Sequence, residues 1–74
     1  MASKTKLDAF LTANGIQPVA LARASGVSRQ HLHRLRTGAE EPRMRTMRAV
    51  REGCIRILRR TIPLSALFDL GEDA

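Results

Sequence analysis

Residues 17–38 read QPVALARASGVSRQHLHRLRTG, and the fold is decided by how this stretch is parsed. Pro18 suits a first helical position, because the N–H it lacks would be an orphan there in any case. A helix from Pro18 is expected to end near Ser25, broken by Gly26. Val19, Leu21, Ala22 and Ala24 leave it little polar surface, so it is expected to be small and well buried. Ser28 is a good N-cap for a second helix. Val27 before it and Leu32 within it have the spacing of a hydrophobic staple. Leu32 and Leu35 face the core, and Thr37 and Gly38 end the helix. At 100° per residue, Gln30, His33, Arg34 and Thr37 fall opposite the leucines. Arg29 lies on the first exposed turn and His31 on the flank. The outward face is therefore rich in hydrogen-bonding groups and is expected to carry no acid.

Working outward, a first helix is expected over residues 6–14. Thr5 and Asp8 have capping-box spacing, Leu7, Phe10 and Leu11 form one apolar stripe, and Asn14-Gly15 supplies a stop. After Pro42, a fourth helix is expected over residues 43–60. Met44, Met47, Val50, Cys54, Ile57 and Leu58 cluster on one side of it, and Arg45, Glu52, Arg56 and Arg59 lie away from them. Gly53 sits inside this pattern and costs about 1 kcal/mol against alanine in a helix interior. A helix ending at Gly53, with residues 54–58 as a short strand, is the alternative; the continuous helix is preferred. Pro63 opens a last short helix, residues 63–70, through Leu64, Leu67, Phe68 and Leu70. The acidic tail after Gly71 is expected to fray. The result is an all-α fold: one domain over residues 1–74, with four or five helices. The two C-terminal helices would supply core and dimer interface.

Composition agrees. Phe10 and Phe68 are the only Phe, Tyr or Trp residues, and a chain dominated by Ala, Leu and Arg favours helix over sheet. At this size a single core is marginal, so oligomerisation is expected. The net charge is +6, and eleven arginines against two lysines supply it. Arginine suits planar, bidentate partners such as phosphate and guanine edges. A polyanionic partner fits, although an arginine-rich solvated surface is the plainer reading. The single cysteine, Cys54, permits no intrachain disulfide and fits a reducing cytosol. No apolar run is long enough to span a membrane, and the N-terminus lacks the apolar stretch of a secretory signal.

The stretch over residues 17–38 resembles the helix-turn-helix of the phage repressor and Cro family, often called XRE-like. Leu21 and Ala22 match the Leu-Ala pair of its first motif helix. Gly26 and Val27 match the turn, and Ser28 the small polar residue opening the second helix. Leu32 and Leu35 match the two core positions, and Gly38 the terminal glycine. Pro42, Met44, Met47, Val50 and Cys54 fit the apolar spacing that follows, and IPLSALFDL over residues 62–70 is similar to the closing helix. The resemblance implies a compact repressor-like domain whose recognition helix, about residues 28–37, enters the major groove of double-stranded DNA. It implies base or phosphate contact by Arg29, Gln30 and Arg34, with His33 a weaker candidate. Their chemistry fits, since arginine reads guanine O6/N7 and glutamine reads adenine N6/N7. N–H groups near Gln17 can hold a phosphate. Ser28, Thr37 and Arg43 complete the expected DNA-binding set, with Thr37 and Arg43 as phosphate contacts.

The chain also departs from that pattern. Pro18 replaces a frequent glutamine and removes a phosphate contact. Arg36 stands where glutamate is common, so the internal ion pair usual there is expected to be missing. Glu40 and Glu41 occupy a loop that is often basic, where they would repel phosphate. About six extra residues separate Cys54 from the closing helix, counted against the resembled pattern.

The expected function is a sequence-specific transcriptional regulator, a repressor binding a palindromic operator as a homodimer in a bacterial or phage-infected cytoplasm. The alternative is a protein-interaction module of the same fold, such as an antitoxin, gripping an acidic partner through its arginine-rich helix. Arg45, Arg48, Arg51, Arg56, Arg59 and Arg60 could serve that partner, DNA backbone or anionic lipid, or form a plain solvated face. His31 and His33 diverge on a helix, and Cys54 lies in the apolar stripe, so neither a metal site nor a nucleophile is expected. No paired carboxylates, Ser/His/Asp set or glycine-rich phosphate loop suggests an enzyme. No cofactor or small-molecule ligand is implied.

Overall fold

The computed structural model describes residues 5–69. In chain order it contains α1 (Lys6–Ala13), α2 (Pro18–Ser25), α3 (Arg29–Thr37), α4 (Met44–Leu58) and a 3₁₀ turn at Leu64–Ala66. No strand occurs among the described residues. The fold is all-α, and α4 runs unbroken through Gly53. No helix among them is long and apolar enough to cross a membrane.

The helix boundaries have local causes. Thr5 Oγ1 accepts the Asp8 N–H at 3.0 Å, and Ser28 Oγ accepts the His31 N–H at 3.1 Å. Each bond satisfies a backbone donor that a first helical turn leaves without a partner. Gly26 and Gly38 close α2 and α3 with φ of 78° and 81°, a conformation in which a Cβ would be strained.

The core is built from Leu7 and Leu11 of α1, Leu21 of α2, Leu32 and Leu35 of α3, and Val50 and Cys54 of α4. Ile16, Ile62, Leu67 and Phe68 close it from the connecting segments. The 3₁₀ turn packs on both α1 and α4, and α2 lies along α4. That last contact is close because residue 53 is glycine. A Cβ there would stand 2.8 Å from Ser25 Cβ and 3.0 Å from the Ser25 backbone nitrogen. The local helix cost of Gly53 thus permits the close approach of α2 to α4. Cys54 is fully buried, and desolvation pushes its thiol up to about 11, so it stays neutral and packs as a small apolar group.

Several expectations need correction. The helix α2 is not well buried: only Leu21 is, and Val19 is 44% exposed. A short helix lying against α3 and α4 has one inward face, and Val19 is not on it. Met44 does not join the core but is 46% exposed; as the first residue of α4 it stands at the end of the apolar stripe, and Met47 is the first methionine of that helix to pack on the core. The closing segment forms a 3₁₀ turn rather than a helix over residues 63–70; Leu70 and the tail after Gly71 lie outside the described residues. At α1 the capping box is half formed, since the Asp8 carboxylate turns to Arg36. Arg36 Nη2 lies 2.7 Å from Asp8 Oδ1, and Nε donates to the same oxygen at 2.9 Å. Thr5 Oγ1 adds a bond to the Arg36 carbonyl at 2.9 Å. Arg36 therefore makes an internal ion pair where none was expected, and it ties α1 to the end of α3.

The arginine-rich segment is also less uniform than a solvated face. Arg60 lies beyond α4, over the Phe10 ring at 5.9 Å, and donates to Asn14 Oδ1 at 3.2 Å. Arg51 is partly buried and lies 3.8 Å from Glu52. Arg59 ends α4 in the left-handed conformation at φ 57°, which costs a non-glycine residue about 1–2 kcal/mol. Arg59 is exposed, so Arg59→Gly removes strain and little packing. The expected result is a gain of about 0.5–1 kcal/mol after allowing for the freer unfolded chain. It is read as a higher urea midpoint at unchanged slope; an unchanged or lower midpoint contradicts it.

Candidate nucleic-acid interface

The geometry of α3 follows from its anchors. Leu32 and Leu35 are buried on one side, and rotation by 100° per residue carries Arg29, Gln30, His33 and Arg34 outward. All four are exposed. The turn Gly26-Val27-Ser28 joins α2 to α3, and the start of α2 lies beside this face. Between them lies a shallow, open groove of about 650 Å³ lined by Gln17, Pro18, Val19, Arg29, Gln30, His33 and Arg34.

Five of the sequence-predicted residues therefore converge: Gln17, Arg29, Gln30, His33 and Arg34. Gln17 is the N-cap of α2 without a side-chain cap bond, so its amide does not cover the helix start. The N–H groups of Val19 and Ala20 belong to the first helical turn and have no acceptor within the helix. They carry the positive end of the helix dipole beside the groove.

Ser28, Thr37 and Arg43 are not part of the groove lining. Ser28 uses its hydroxyl oxygen as the α3 cap. Thr37 Oγ1 donates to the Arg34 carbonyl at 3.2 Å, so its proton is engaged within the helix rather than offered to a phosphate. Arg43 is exposed as the N-cap of α4 and is available for backbone contact from outside the groove.

Two residues depart from the part the sequence leads one to expect of them. Val19 was assigned to the interior, yet it lines the groove. The other is Glu40: α3 itself carries no acid, but this residue of the loop after it, expected only as a charge that repels phosphate, is paired with the helix. Arg34 Nε donates to Glu40 Oε1 at 2.8 Å, and His31 Nε2 lies 3.2 Å from Glu40 Oε2. The Arg34 hydrogen bond, joined by the charges of His31 and Arg34, holds the Glu40 carboxyl below the usual range against some desolvation. Its charge is thus compensated inside the protein rather than simply projected at a phosphate. The cause is the end of α3: the Ala39 N–H bonds the Arg34 carbonyl at 2.9 Å, and this reversal at Gly38 returns the chain alongside Arg34. The signal was in the sequence, since a glycine stop brings the residues just after it back over the last helical turn.

Among the described residues, no group of three or more His, Cys, Asp or Glu could hold a metal. No protein-family model, curated protein or solved structure matches the chain.

Proposed function

We propose that this protein is a sequence-specific binder of double-stranded DNA and acts as a transcriptional repressor. The observation that carries the reading is the groove in which Gln17, Arg29, Gln30, His33 and Arg34 converge from two helices. In this reading α2 and α3 are a helix-turn-helix, and α3 enters the major groove, which is wide enough to admit a helix. Arg29, Gln30 and Arg34 contact base edges. Gln17, the open amides of α2 and Arg43 contact phosphate and set register. Val19 offers an apolar surface to a thymine methyl group. The chain binds a palindromic operator as a homodimer, in a bacterial or phage-infected cytoplasm, and represses by occluding polymerase.

The exposed Arg45, Arg48 and Arg56 of α4 favour a second reading, an interaction module for an acidic protein. One experiment separates the two. The purified chain is used to select from a randomised duplex library at physiological salt. The DNA reading expects enrichment of an inverted repeat with half-sites about one helical turn apart, and sedimentation of a two-chain complex. Affinity for the enriched duplex should exceed that for random duplex by about 10³-fold or more. A selection that enriches nothing overturns it, and enrichment with one chain per duplex removes the homodimer.

A further inference from the structure

We propose that Glu40 is a positioning residue for Arg34 and sets the guanine preference of the groove. The inference rests on the DNA-binding reading and adds to it a residue outside the groove lining. A guanidinium presents two useful edges. The side edge holds the Nε–H; the end edge holds one N–H from each terminal nitrogen. Glu40 Oε1 occupies the side edge, through Nε at 2.8 Å. The end edge remains for a second, bidentate partner, the geometry that matches guanine O6 and N7.

The carboxylate is itself held. Its second oxygen lies 3.2 Å from His31 Nε2, one turn earlier on α3. Its backbone is fixed by the Ala39–Arg34 bond that closes the helix. A carboxylate anchored on His31 and by the turn restricts Arg34, a long side chain that is half exposed and otherwise free to sweep the groove. Two consequences follow. Ordering Arg34 before binding lowers the entropy lost on reading a base. Compensating its charge weakens its attraction to phosphate, the sequence-independent part of binding. Both widen the gap between the right sequence and any other.

The test uses the full chain, the duplex enriched from the randomised library and a scrambled duplex of the same length. Glu40→Ala is expected to bind the scrambled duplex more tightly and to lower the ratio of enriched to scrambled affinity about tenfold. The loss should fall on one guanine of each half-site, the same guanine whose preference Arg34→Ala removes. The double variant Glu40→Ala/Arg34→Ala should lose no more at that guanine than Arg34→Ala alone. Glu40→Gln keeps an acceptor for Nε without the charge, so it should recover the preference for that guanine but still bind the scrambled duplex more tightly than wild type. Circular dichroism should show native helicity in each variant.

If Glu40→Ala leaves the ratio unchanged, or raises it, Glu40 is only a repulsive charge and the inference fails while the DNA reading stands. If Glu40→Ala and Arg34→Ala lose different base preferences, the inference also fails. A wild-type chain that enriches no sequence removes the DNA reading and this inference together.

Discussion

Replacing Gly53 by alanine destabilises the domain, although alanine is the better helix former by about 1 kcal/mol. The methyl group would stand 2.8 Å from Ser25 Cβ and 3.0 Å from both the Ser25 backbone nitrogen and Leu21 Cδ1. A leucine methyl can turn aside, but the α2 backbone can yield only by moving the whole helix off α4. Overpacking costs about 1–3 kcal/mol, and a contact against backbone belongs to the upper part of that range, about 2–3 kcal/mol, so a net loss of about 1–2 kcal/mol remains after the propensity gain. Gly53→Leu adds volume against the same backbone and is expected to abolish cooperative unfolding, because a domain of this size holds only about 5 kcal/mol in reserve. The chain has no Trp or Tyr, so the measurement is urea denaturation followed by far-ultraviolet circular dichroism. A Gly53→Ala midpoint equal to or above wild type would show that α2 yields easily and that the approach is slack. A DNA readout adds a second check: α2 carries Gln17, Pro18 and Val19 into the groove, so displacing it should weaken binding even where Gly53→Ala remains folded.

Gly53 also shows what a sequence discloses and what it withholds. Helix starts and stops were legible because they are local: Ser28, Gly26 and Gly38 act through their own backbone and their nearest neighbours. The outward set on α3 was legible for the same reason, since Leu32 and Leu35 fix one side of a short helix and the rest follows by rotation. Features that depend on a second element were not. The role of Gly53 depends on Ser25, far earlier in the chain. The partner of Arg36 is Asp8 on α1, so a position read as lacking its ion pair turns out to make a different one. Val19 is apolar in a helix with few polar residues, but burial requires a neighbour, and among the described residues none covers that side. Glu40 lies between these cases. Its contact with Arg34 is local in sequence, yet it crosses a helix end, where periodicity stops and turn geometry decides.

Arg29→Ala and Arg34→Ala should each reduce affinity for the enriched duplex by about 10- to 100-fold, the equivalent of about 1–3 kcal/mol for a bidentate base contact. The double variant should retain only binding that ignores sequence. Both side chains are exposed on the groove face of α3, and the fold does not rest on them: the helix is anchored by Leu32 and Leu35 from the opposite side. Removing Arg34 also releases Glu40 from its bond at Nε, leaving a negative charge beside the groove that only His31 still faces. Arg34→Ala should therefore lose more on scrambled DNA than Arg29→Ala does. Arg45→Ala and Arg48→Ala on α4 are the controls. If they touch DNA at all, they lower affinity for every sequence alike and flatten the salt dependence by about one charge each, without changing which duplex is preferred. The opposite pattern, with base preference intact in Arg29→Ala/Arg34→Ala and partner binding lost in Arg45→Ala/Arg48→Ala, would take the function away from the groove and give it to the arginine face of α4.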